Sequence, residues 1–199
     1  MSDTEWRRTL LGELFSLEYG SALPNAQRKP GNVTVFGSNG AVGFHAAQYV
    51  DGPGVVVGRK GSVGALAWSS GPFWPIDTAY FVVAKGADLR WLYWLLHRSG
   101  LTRLDSSTGV PGLNREDVYR LSANLPPLPE QRAIAAVLDA IDDSIRKTEQ
   151  IIAKLQQVKQ GLLHDLLTRG IDDNGELRDP DRHPEQFQDS PLGRIPKGW

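Results

Sequence analysis

Residues 125–145 read LPPLPEQRAIAAVLDAIDDSI and change character at Glu130. Pro126, Pro127 and Pro129 give way to a run with hardly a helix breaker through to Gly170. Prolines are tolerated just before and inside the first turn of a helix, where a missing N–H costs least, so they fix the chain as it enters. The spacing beyond them is regular. Ile134, Leu138, Ile141, Ile145, Thr148, Ile152, Leu155, Lys159, Leu162 and Leu166 alternate four and three residues apart, a heptad seam over more than four repeats. Val137, Ile151, Val158 and Leu163 widen this stripe, and Asp142, Asp143, Arg146, Lys147, Glu149 and Lys154 take the outer face. About 40 residues at roughly 1.5 Å each give a rod of about 60 Å. A single helix of that length needs another helix to cover its seam.

Upstream the pattern is short β-branched and aromatic stretches punctuated by glycine. VTVFGSNGAVGF, GVVVGRKGSVGALAW and TAYFVVAKG alternate with Ser-Asn-Gly, Asp-Gly-Pro-Gly and Arg-Lys-Gly-Ser turns, which predicts a compact β-rich region. Asp88 is placed to cap a helix through LRWLYWLLHRSG that Gly100 ends. Trp91 and Trp94 on that helix suit core packing better than a base-stacking platform. The expected class is α+β, with a β-rich domain over residues 1–127, a long coiled-coil-type helix over 128–169, and a linker over 170–199.

Composition bounds the chemistry. At 199 residues and 40% hydrophobic content the chain buries one core with an appendage. It has no cysteine, which removes disulfides, thiolate metal sites and cysteine nucleophiles and favours a cytoplasmic address. The longest apolar run, residues 79–84, is far short of the roughly 20 that span a bilayer, so no membrane role is expected. Net charge is −1, but residues 1–127 hold 12 Lys/Arg against 10 Asp/Glu while residues 170–199 hold 4 against 7. The acidic tail masks a mildly basic first domain.

No catalytic constellation emerges. GSNGAVG and GRKGSVG lack the spacing of dinucleotide or P-loop phosphate cradles and read as turns. His45, His97, His164 and His183 are isolated from one another, so no metal site and no cofactor are expected.

The helix segment from Leu125 to Gly170 resembles the conserved long helix of the specificity subunits of type I restriction-modification systems, with the P-L-P-E-Q-x-x-I start and the L-x-x-L-L-T-x-G finish both present. LGELFSLEYGSALP, FGSNGAVG, GRKGSVG and SSTGVPGLNREDV resemble, in order, recurring segments of that family's target-recognition domain. The resemblance implies a subunit without enzymatic activity that recognises double-stranded DNA, docks the methyltransferase subunit, and through it meets the restriction subunit. The family pattern has two recognition domains and two long helices, whereas one of each is present here. DSPLGRIPKGW resembles the start of a second repeat, with Trp199 standing where Trp6 stands, a period of 193 residues. A half-length subunit is therefore expected to pair with itself as an antiparallel homodimer.

Within that reading, sequence is read by donor and acceptor side chains on rigid short loops in the major groove. Asn39, Arg59, Lys60, Ser62, Ser107, Thr108 and Arg115 are the candidate DNA-binding residues. Ile134, Leu138, Ile141, Ile145, Ile152, Leu155, Leu162 and Leu166 are the candidate dimer seam, and Ile151 and Val158 the candidate methyltransferase contacts. The competing reading is a scaffold or toxin-neutralising partner that uses the helix for assembly alone. Heptads do not separate the two; the Arg-Lys and Ser-Ser-Thr loops favour recognition.

Overall fold

Between the glycine turns the β-branched runs form strands in a computed structural model of the chain, which describes residues 5–104, 112–191 and 193–199. In chain order, β1 (Arg7–Leu10), the short α1 (Leu11–Leu14) and β2 (Phe15–Tyr19) lead to β3 (Val33–Gly37) and β4 (Gly40–His45). Next come β5 (Gly54–Gly58), β6 (Leu66–Ser69), β7 (Phe73–Pro75) and β8 (Ala79–Ala84). Helix α2 (Leu89–Arg98), α3 (Arg115–Tyr119) and β9 (Ser122–Leu125) precede α4 (Leu128–Thr168), and β10 (Phe187–Ser190) and β11 (Gly193–Pro196) follow it. The mixed α+β architecture with one long helix is the expected one.

The position of β5 explains its unbroken Val-Val-Val. An antiparallel sheet runs β2-β8-β5-β6, and a second sheet runs β4-β3-β7 with β3 and β7 parallel. Side chains alternate faces along a strand. Val55 and Val57 enter one core with Phe15, Leu17, Leu92 and Leu96, while Val56 enters another with Phe36, Phe73 and Ala79. A strand covered on both faces has no solvent face to make polar, and each buried valine contributes about 2 kcal/mol.

Helix α2 packs on the first core. Asp88 caps it, its Oδ1 accepting from the backbone N–H groups of Arg90 and Trp91 at 3.0 Å each. Gly100 follows the helix with φ of +64°, a conformation that glycine adopts without strain. Trp91 is buried in the core rather than displayed, and Trp94 donates from Nε1 to Asp139 at 2.8 Å.

The proline segment proves to be half of a clamp. Gln131, buried in the first turn of α4, donates from Nε2 to Pro126 O at 2.9 Å and accepts on Oε1 from Asp88 N–H at 2.8 Å. One side chain thus ties the start of α4 to its own approach and to the cap of α2. Arg90 and Trp94 on α2 both reach Asp139 two turns further on.

The chain divides into two compact units, residues 1–139 and 140–199. The first turns of α4 belong to the first unit because Gln131 and Ala135 are buried there and Ile134 packs against its core. In the second unit the apolar stripe of α4 is bare, with Ile141, Ile145, Ile152, Leu155, Leu162 and Leu166 all exposed. The tail, expected as a loose linker, instead folds locally. Asp172 Oδ1 accepts from the N–H groups of Asn174 and Glu176, β10 and β11 pair as a hairpin, and Phe187 is buried. The N–H groups of Glu176 and Asn174 hold the Asp172 carboxyl below the ordinary carboxylate range, and those of Asp181 and Arg182 do the same for Asp179. Among the described residues no helix is long and apolar enough to cross a membrane.

Candidate nucleic-acid interface

Strand β2 ends at Tyr19, directly opposite Tyr80 of β8, and the two rings lie 5.1 Å apart. Tyr80 is buried and donates its hydroxyl to Leu113 O at 3.2 Å. Tyr19 is 49% exposed and forms the outer layer of the pair. Burial, then a hydrogen bond with Tyr19, pushes the Tyr80 hydroxyl up to about 12, against the pull of Arg59 and Arg115.

Two cations close on this exposed ring. The guanidinium of Arg59 lies 5.2 Å from the Tyr19 centroid and that of Arg115 lies 5.3 Å from it. A cation over a tyrosine face at such distances is attracted by the ring quadrupole. Arg59 is also held by a hydrogen bond from Nε to Asp77 O at 3.0 Å. Its backbone is pinned from both sides, with N–H donating to Thr78 O at 2.9 Å and O accepting from Leu113 N–H at 2.8 Å. Lys60 N–H also donates to Thr78 O, while its side chain is exposed. Arg59 therefore presents a fixed planar group, and Lys60 an adaptable point charge.

The β3–β4 turn closes on the same place. A Cβ at Gly58 would stand 2.4 Å from Ser38 O and 2.1 Å from Ser62 O, so only glycine lets the turn carrying Asn39 sit against the loop carrying Ser62. Four segments far apart in sequence, around residues 19, 38–39, 59–62 and 112–115, thus meet on one face. Of the expected DNA-binding residues, Arg59, Lys60, Ser62 and Arg115 belong to this face and Asn39 is exposed beside it at the hairpin tip. Ser107 and Thr108 lie outside the described residues. Tyr19 was not expected; its only sequence signal is an aromatic residue at a strand end followed by a glycine. Arg28 braces its own loop, its Nε donating to Leu23 O and its Nη1 to Val42 O.

On α4 the expected residues fall into two groups. Ile134 and Leu138 are half-buried at the first unit, whereas the other expected seam positions are exposed, as are Ile151 and Val158. Ile134 and Leu138 share a helix face with Gln131 and Ala135, which draws them towards the domain.

A model of the type I restriction modification DNA specificity domain matches residues 3–157. The specificity subunit of the EcoprrI type I restriction enzyme of Escherichia coli is 29% identical over 147 residues, covering 70% of this chain and 37% of that protein. The MjaVIII specificity subunit of Methanocaldococcus jannaschii is 30% identical over 104 residues, covering 52% of this chain and 22% of that protein. The crystal structure of a type I system S subunit from M. genitalium superposes over 94% of this chain and 52% of its own with a TM-score of 0.67 at 17% identity. The HsdS subunit of Thermoanaerobacter tengcongensis shares the fold at a TM-score of 0.57 over 81% of this chain and 44% of its own. This chain spans about half or less of the length of these relatives. The match over most of its residues, on the fold described above, places the chain in the type I restriction modification DNA specificity domain family.

Proposed function

We propose that the chain is a sequence-reading DNA module of a type I restriction-modification complex and that the Tyr19 face is where it meets the duplex. The observation that carries this reading is the pair of arginines fixed on one half-exposed tyrosine, where four loops converge beside the exposed Lys60. Fixed planar donors suit base edges, and mobile lysines suit phosphates. The family membership supports the same reading, and the curated relatives carry the name specificity subunit.

In this reading the module contributes recognition and leaves catalysis to its partners. The uncovered α4 seam pairs with that of a second copy in antiparallel fashion, and each copy reads one half of an interrupted palindrome. The exposed Ile151 and Val158 lie to one side of the seam and dock a methyltransferase subunit, through which the restriction subunit joins. A scaffold with no DNA role is the competing reading. Retardation of a mixed-sequence duplex, titrated with salt with and without the methyltransferase, separates the two. Binding whose affinity falls steeply and log-linearly with salt supports recognition. No retardation at low salt, with the methyltransferase present, overturns it.

A further inference from the structure

The guanidinium of Arg59 is engaged along one edge alone among the described residues. Its Nε–H and one N–H of Nη2 both donate to Asp77 O. Two donors that reach a single oxygen share one edge of the planar group. The outer N–H groups of Nη1 and Nη2, which point away from the stem in parallel, are left over, and no described residue accepts from them. Arg59 is half-exposed, so this outer pair is open to a ligand.

The loop that carries the pair is fixed before any ligand arrives. Residues 58–65 close on themselves, with Gly58 N–H donating to Ala65 O at 2.7 Å and Gly64 N–H to Gly58 O at 2.8 Å. Val63 anchors the loop in the first core, and a Cβ at Gly64 would stand 2.5 Å from the carbonyl carbon of Leu101, so the loop lies hard against that backbone. The guanidinium itself is held 5.2 Å from the Tyr19 centroid and 5.8 Å from that of Tyr80. Such restraint removes much of the ordering loss that a free arginine suffers on binding.

Parallel donors select their base. In the major groove guanine presents two acceptors side by side, O6 and N7, whereas adenine sets an acceptor beside a donor, thymine an acceptor beside a methyl group, and cytosine offers a donor. Guanine alone satisfies both N–H groups. We propose that the outer pair of Arg59 reads a guanine through O6 and N7, held in place by Asp77 O and Tyr19. The inference rests on the Tyr19 face being the DNA surface and names the base read there. Lys60, exposed next door, is the phosphate partner of the same step.

The probe is a pool of duplexes randomised over the binding site and selected by the full chain with its methyltransferase. Selected sites are expected to hold a guanine at one position that Arg59→Ala alone relaxes. At that position 7-deazaguanine, in which C–H replaces N7, should weaken binding by the parent chain at least about fivefold. Inosine, which keeps O6 and N7 and lacks only the minor-groove amino group, should bind within about twofold. The two analogues need no variant, so a misfolded Arg59→Ala chain would not shield the proposal. Weakening by inosine and not by 7-deazaguanine would place the readout in the minor groove and overturn it. An even loss of affinity in Arg59→Ala, with every base preference kept, would mark a phosphate contact and overturn it as well. In either case a salt slope still reduced by Lys60→Ala would leave the Tyr19 face as the DNA surface. Failure of the parent chain to retain any duplex at low salt would remove the face and the guanine contact together.

Discussion

The backbone N–H of Asp88 donates to Gln131 Oε1 across 43 residues of sequence, while Gln131 Nε2 holds Pro126 O. Asp88 uses its own carboxylate to cap α2, so one contact fixes the starts of two helices. Replacing Gln131 with Leu keeps the volume and leaves Asp88 N–H and Pro126 O without their partner. Each orphaned buried group costs roughly 1–3 kcal/mol, and the variant should lose about 2–4 kcal/mol in urea unfolding followed by tryptophan fluorescence. A loss below about 0.5 kcal/mol would show that water substitutes for the side chain.

The Tyr80 hydroxyl, pushed up to about 12 by burial and by Tyr19, makes stability depend on alkaline pH. This upward shift means that the folded state holds the proton more tightly than the unfolded state, whose tyrosine titrates near 10. The contribution is fully present below about pH 10 and is lost as pH climbs towards about 12. Tyr80→Phe should flatten the decline of Tm over that window, at the cost of the bond to Leu113 O at neutral pH. Parallel Tm curves for the variant and the parent above pH 10 would refute the linkage.

Arg59 and Lys60 are neighbours in sequence with different predicted signatures on DNA. Lys60→Ala should lower affinity evenly across sequences and reduce the salt slope by about 1, as a phosphate contact does. Arg59→Ala should cost roughly 1–3 kcal/mol on the preferred duplex and relax the preference at one position. Arg59→Lys should rescue little, because a compact ammonium lacks the planar fork that holds Asp77 O while its charge lies over the Tyr19 ring. Equal affinity and preference for Arg59→Ala and the parent would remove Arg59 from the interface.

What was legible in the sequence follows from range. The heptads of α4, the Asp88 cap and the glycine turns are local patterns, and the helices and short strands stand where those patterns place them. The Tyr19 face is not local. Tyr19 acquires its meaning from the strand register that sets it on Tyr80, and from the Gly58 close approach that draws in the β3–β4 turn. The same holds for Gln131, which reads as a surface residue of an amphipathic helix until the Asp88 N–H and Pro126 O it serves are known. In the tail, composition suggested a linker, but Asp172 and Asp179 each organise their own turn through backbone N–H groups.

The proposed methyltransferase contact predicts a separation of phenotypes. Ile151 and Val158 are 59% and 49% exposed and lie off the seam, so Ile151→Glu with Val158→Glu should leave the chain folded and self-paired. Capture of the methyltransferase by the tagged chain should fall at least about tenfold. Loss of self-pairing in size-exclusion chromatography would instead assign both positions to the dimer interface.

If two copies pair antiparallel through α4, the helix length sets the distance between half-sites. Duplicating residues 145–151 adds seven residues and keeps the heptad phase, so the seam remains continuous. The added length is about 10 Å, or about three base pairs at roughly 3.4 Å each. Those pairs also turn one half-site around the duplex by about 100°, given roughly 10.5 pairs per turn. Affinity for the parental spacer should therefore fall at least about tenfold. Selection from duplexes with randomised spacer length should move the optimum to a spacer about three pairs longer, where the turn is accommodated by the DNA. Undiminished binding of the parental spacer by a folded, dimeric insertion variant would end the ruler reading.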